Sequence, residues 1–125
     1  MPISIMDKVK AAKEAVPAIS PAEAMGMVGS SHTVFVDVRD PPEVAATGKV
    51  PGALAISRGM LEFRADPTLP SHHPELDPDK TIVLYCASGG RSALAGVALQ
   101  ELGFKDVRNL GGFQSWVDAG GRVER

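Results

Sequence analysis

Thr81-Ile82-Val83-Leu84-Tyr85-Cys86-Ala87-Ser88-Gly89-Gly90-Arg91-Ser92 is the stretch that decides the fold. Residues 81–85 are an unbroken apolar and β-branched run, the pattern of a strand buried on both faces. A tight loop follows from Cys86 to Arg91. From Ser92 to Leu102 the Ala, Leu and Val spacing predicts a helix, with Gly103 as its stop. Strand, short loop and helix in this order form half of a parallel crossover.

Working outward, Val34-Phe35-Val36-Asp37-Val38 predicts a second buried strand, ending in the polar pair Asp37 and Arg39. Asp40-Pro41-Pro42-Glu43 opens a helix that Gly48 closes. Ala53 to Ile56 reads as a short strand, and Ser57 as the cap of a helix through Phe63. Residues 66–80 carry four prolines and read as a loop. Val107 to Leu110 is a last short strand, and Phe113 to Ala119 a last helix. Toward the N-terminus, Ser20-Pro21-Ala22-Glu23 is a capping box for a helix ending near Gly29. Ile5, Val9, Ala12 and Val16 mark an earlier amphipathic helix, closed before Pro17. The alternation predicts an α/β domain in three layers, with a central, mainly parallel sheet flanked by helices. Residues 1–17 are read as a helical extension and 18–125 as the domain.

Composition narrows the chemistry. The chain has 125 residues and a single cysteine. A chain of this mass buries about two-thirds of its surface on folding, enough for one core without staples. One cysteine excludes an intrachain disulfide and a cysteine-rich zinc site. A net charge of −2 does not suggest a nucleic-acid binder. No apolar run approaches membrane-spanning length, and the N-terminus lacks a secretory pattern, so a cytoplasmic protein with no membrane partner is expected. His72 and His73 lie in the Pro-rich loop without further ligand spacing, so no metal is expected.

Cys86 therefore carries the chemistry. It sits at the carboxyl end of a strand, where open α/β sheets gather ligands. The loop Ala87-Ser88-Gly89-Gly90-Arg91-Ser92 can curl its N–H groups inward, and the following helix adds its positive end. Such a cradle favours a thiolate, or an equally charged persulfide. The plain alternative is a buried core cysteine.

The same segment resembles the active-site loop of single-domain rhodanese sulfurtransferases. Three more stretches agree in order. Val36-Asp37-Val38-Arg39-Asp40 with Glu43 resembles the family's Asp-x-Arg strand end. Gly48-Lys49-Val50-Pro51-Gly52-Ala53 resembles its Gly-His-Ile-Pro-Gly-Ala turn, with lysine in place of histidine. Leu110-Gly111-Gly112-Phe113-Gln114-Ser115-Trp116 resembles its closing Gly-Gly-x-x-x-Trp helix. The resemblance implies a persulfide on Cys86, taken from a small anionic donor such as thiosulfate and passed to a thiol or cyanide-like acceptor. It implies no cofactor. A protein persulfide partner, as in a non-catalytic relay, remains an alternative, and so does a cysteine-dependent phosphatase. Cys86 to Arg91 spans C-x4-R, one residue shorter than the C-x5-R of tyrosine phosphatases. Arg58 and Glu62 are either anion-guiding or a surface ion pair. Asp37 and Arg39 are either supporting site residues or a structural network. The chain is expected to act as a monomer or a homodimer.

Overall fold

Four strands form one wholly parallel sheet in the computed structural model, which describes residues 2–125. They are β1 (Thr33–Asp37), β2 (Leu54–Ala55), β3 (Thr81–Cys86) and β4 (Asp106–Gly112). Their order is β2-β1-β3-β4. The helices are α1 (Ile5–Ala15), α2 (Pro21–Met25), α3 (Pro41–Thr47), α4 (Leu61–Ala65), α5 (Gly90–Glu101) and α6 (Phe113–Asp118). A 3-10 turn, Arg58–Met60, precedes α4. The chain runs outward from β1 to β2, then returns across β1 to β3. That reversal puts a topological switch point between β1 and β3, the usual place for a ligand crevice.

Alternation along the strands builds both cores. Val34, Val36, Val38, Ile82, Leu84 and Cys86 face α4 and α5, packing with Leu61, Ala65, Ala95 and Leu99. Phe35, Val83 and Tyr85 face α2 and α6, packing with Ala24, Phe113 and Trp116. Phe35 meets Trp116 edge-on with ring centroids 6.1 Å apart, and Tyr85 stacks on Phe113 at 5.7 Å. The three-layer expectation is met, with every strand pair parallel.

The local signals explain the helix starts. Ser4 Oγ accepts the Asp7 amide, and Ser20 with Glu23 forms the reciprocal box. Several boundaries differ from the sequence reading. The helix expected from Ser57 to Phe63 is a 3-10 turn followed by five helical residues, because Ser57 makes no side-chain cap. The helix expected to run to Gly29 stops at Met25 and continues as turns. β2 keeps two of four expected residues, being an edge strand paired on one side. β4 extends through Gly111 and Gly112, carried past a bulge opposite Leu84 and Tyr85. α5 begins at Gly90, not Ser92, because the left-handed Gly89 completes the turn first.

α1 lies on α5, burying Val9 and Ala12. Gly96 makes the close approach possible: a Cβ there would stand 2.7 Å from Val16 Cγ2. Residues 17–19 then bond along the free edge of β4, Asn109 N–H to Pro17 O and Ile19 N–H to Asn109 O. An otherwise open sheet edge is thereby covered.

Candidate active site

Cys86 ends β3 on the α5 side of the sheet and is fully buried. Ala87 and Ser88 are exposed at the rim above it. Gly89, at φ +95°, turns the chain back so that its own N–H donates to Cys86 Sγ at 3.0 Å. The backbone of Ser88 and of Ser92 also favours the charged form of the sulfur. Ser92 Oγ lies 3.4 Å from Sγ. Burial pushes the thiol pKa up, but these hydrogen bonds outweigh it, and the thiol is held below its ordinary value. The first turn of α5 has unpaired N–H groups and the positive end of a three-turn helix, which act in the same direction.

The loop is pressed against β4. A Cβ on Gly112 would stand 2.6 Å from Ala87 O, and one on Gly89 would meet Gly111 Cα at 3.3 Å. Close approach accounts for Gly112 and Gly89, and the left-handed φ of +94° accounts for Gly111.

Arg91 does not point at the sulfur. Its Nη1 and Nη2 donate to Glu43 Oε1 and Oε2 at 2.7 and 2.9 Å. Glu43 Oε1 also accepts the Asp40 amide, so one carboxylate caps α3 and holds the active-site loop. The Arg91 hydrogen bonds hold the Glu43 pKa at about 2. Arg58 likewise pairs with Glu62 at 2.7 Å, one helical turn on. The two line a groove beside Lys8, Leu94 and Ala98, away from the loop residues.

Asp37 and Arg39 form a fully desolvated fork. Arg39 Nε and Nη2 donate to Asp37 Oδ1 and Oδ2 at 2.9 and 2.6 Å. The same guanidinium donates to Thr47 Oγ1 and Gly48 O, tying the sheet to the end of α3. It also stands over the Phe113 ring, 4.5 Å from the centroid. Arg39, Glu43, Ala87, Phe113 and Gln114 border a shallow pocket beside the loop. Lys49, in the departing position, bonds Ala53 O and Glu124, fastening the C-terminal segment to the 49–53 turn.

The structure thus joins Cys86 with residues 87–92, and keeps Arg58, Glu62, Asp37 and Arg39 off the sulfur. Sequence reasoning did not assign Glu43 or Asn109 to the site. Strand alternation puts Asn109 on the same side as the buried Val107, and a polar residue at such a position is the available signal for it. Nothing local signals the partner of Glu43, 48 positions away. Among the described residues no three His, Cys, Asp or Glu side chains cluster as metal ligands, and no helix is long and apolar enough to cross a membrane.

The model of the rhodanese-like domain matches residues 20–119. The chain belongs to the rhodanese-like domain family. Relatives of this rhodanese-like domain include a sulfurtransferase of Allochromatium vinosum, 32% identical over 75% of the chain and 80% of the relative. A thiosulfate sulfurtransferase of Pseudoalteromonas translucida is 32% identical over 86% of the chain and 95% of its own length. Among solved structures, the polysulfide-sulfur transferase homodimer of Wolinella succinogenes superposes with a TM-score of 0.74 at 37% identity, covering 94% of this chain and 85% of that one. A Rhodopseudomonas palustris protein, described as of unknown function and a possible tyrosine phosphatase, superposes at 0.91 with 41% identity, covering 99% and 96%. Its coverage extends the likeness through α1, which the family model leaves out.

Proposed function

We propose that this rhodanese-like domain transfers a sulfane sulfur through a persulfide on Cys86. The Cys86 thiolate attacks the outer sulfur of thiosulfate. An S–S bond forms to Cys86, the donor S–S bond breaks, and its electron pair leaves on sulfite. An acceptor thiolate or cyanide then attacks the outer persulfide sulfur, and the electron pair returns to Cys86 as thiolate. The cycle is ping-pong and needs no cofactor. The donor is a small sulfur-bearing anion, thiosulfate or a polysulfide, and the acceptor a thiol. A reducing compartment, the cytoplasm, keeps the resting thiolate free.

The observation that carries this reading is the Gly89 N–H and Ser92 hydroxyl on Cys86 Sγ, with the loop cation turned away to Glu43. A charged sulfur is held here by hydrogen bonds from the Gly89 amide and the Ser92 hydroxyl, with no guanidinium bonded to it. A phosphatase needs the loop arginine on the phosphate, and here that arginine is already doubly bonded to a carboxylate.

Intact-mass measurement tests it. Incubation with thiosulfate adds the mass of one sulfur atom, and cyanide removes it with release of thiocyanate. Cys86→Ser adds none. Full transfer activity in Cys86→Ser overturns the mechanism. Sulfur gain only from a protein persulfide replaces it with a relay. Cys86-dependent turnover of an aryl phosphate replaces it with a phosphatase.

A further inference from the structure

Asn109 is a buried polar residue on β4 whose side chain makes three hydrogen bonds, all toward the active-site loop or the bulge beside it. Its Nδ2 donates to Gly89 O at 3.2 Å. Its Oδ1 accepts the Ser92 hydroxyl at 2.7 Å and the Gly111 amide at 2.9 Å. The acceptor Gly89 O and the donor Gly111 N–H leave only one orientation for the amide. The β4 bulge creates this placement by turning the chain between Asn109 and Gly111.

Ser92 Oγ is also the atom 3.4 Å from Cys86 Sγ. A hydroxyl has one proton. While Cys86 is a thiol, its S–H donates to Ser92 Oγ, and the Ser92 proton goes on to Asn109 Oδ1. Once the sulfur is charged it can only accept. The Ser92 proton is then needed on sulfur, and Asn109 Oδ1 keeps the Gly111 amide as its partner.

We propose that Asn109 is a positioning residue that competes with Cys86 for the single proton of Ser92, so that the hydroxyl turns from Asn109 to the sulfur whenever Cys86 becomes charged. The proposal rests on Cys86 as the reacting sulfur, but not on which donor it uses. The charge acting on Cys86 through space is Arg91, whose partner is Glu43 on α3. Both stay unchanged in every variant below.

The pH dependence of Cys86 alkylation by iodoacetamide reads the ionisation without any sulfur donor. Ser92→Ala moves the midpoint up. Asn109→Asp puts a stronger acceptor on the hydroxyl. With Ser92 in place it moves the midpoint up by about half a pH unit more than in the Ser92→Ala background, about threefold in the ionisation constant. In that background only the through-space charge and the lost Gly89 bond remain. Ser92→Thr keeps a hydroxyl and keeps the sensitivity. Asn109→Ser, too short to reach, gives the same comparison with the sign reversed, and replaces Asn109→Asp if that variant fails to fold by circular dichroism. Equal shifts with and without the Ser92 hydroxyl overturn the proposal. Coupled shifts in a protein that takes sulfur from no donor leave this inference standing and refute the transferase reading.

Discussion

Glu43 grips Arg91 through two parallel hydrogen bonds of 2.7 and 2.9 Å, joining the first turn of α3 to the first turn of α5. The bond orients the start of α5, whose amides face the sulfur. It also removes the loop's only cation from the ring. The resulting cradle is built of fixed dipoles, which suit a charged sulfur.

That pair sets an acid limit. The Glu43 pKa falls from 4.5 unfolded to about 2 folded. A depressed carboxylate contributes stability that is complete above its unfolded value and is lost as pH falls toward the folded one. Stability is therefore expected to drop between about pH 4.5 and 2. In Glu43→Gln this part of the drop shrinks, read by urea denaturation at several pH values. Both side chains are about one-third exposed, so solvent screening keeps the effect small.

Gly112→Ala is expected to leave the fold and damage the loop. The new methyl would sit 2.6 Å from Ala87 O, so the loop must move away from β4. A displacement near 1 Å at reacting atoms costs on the order of 10–100-fold in rate. The readout is kcat/KM for thiosulfate and cyanide beside an unchanged circular dichroism spectrum.

Arg39→Ala is expected to cost about 3–5 kcal/mol, because it leaves the fully buried Asp37 carboxylate without its cation, held by the residue-39 amide. Gly48 O and Thr47 Oγ1 lose a donor as well. Urea denaturation measures the loss. Since the fork does not touch Sγ, the pH midpoint of Cys86 alkylation in the folded variant is expected to stay in place.

Gly96→Ala is expected to push α1 off α5. The added Cβ would stand 2.7 and 2.8 Å from the two Val16 methyls. Overpacking of this kind costs about 1–3 kcal/mol. Val9 lies 3.8 Å from where a Gly90 Cβ would be, so α1 also backs the start of the active-site helix. Faster amide exchange at residues 90–92 in Gly96→Ala would show that link, and unchanged exchange there would rule it out.

Elements with a strong local signal were legible. The apolar run at 81–85, the box at Ser20 and Glu23, and the glycine stop at 48 all act through neighbours in the chain, so they are visible in one dimension. The split helix after Ser57 and the extension of β4 were not legible. The first depends on a cap bond that does not form, and the second on a bulge paired with Leu84 and Tyr85.

The alternation of strands and helices, the lone cysteine at a strand end and the glycine-rich loop that follows are legible in the chain itself. Spacing and residue type suffice for those, because each is a property of a few consecutive residues. Where the charges go is settled by packing in three dimensions. Arg91 turns to Glu43, Arg58 to Glu62, and Arg39 to Asp37. It also brought Asn109 from β4 onto the loop and α1 onto α5. A guanidinium on a long side chain has many carboxylates within reach, and which one wins depends on packing, burial and hydrogen-bond geometry that no local pattern records.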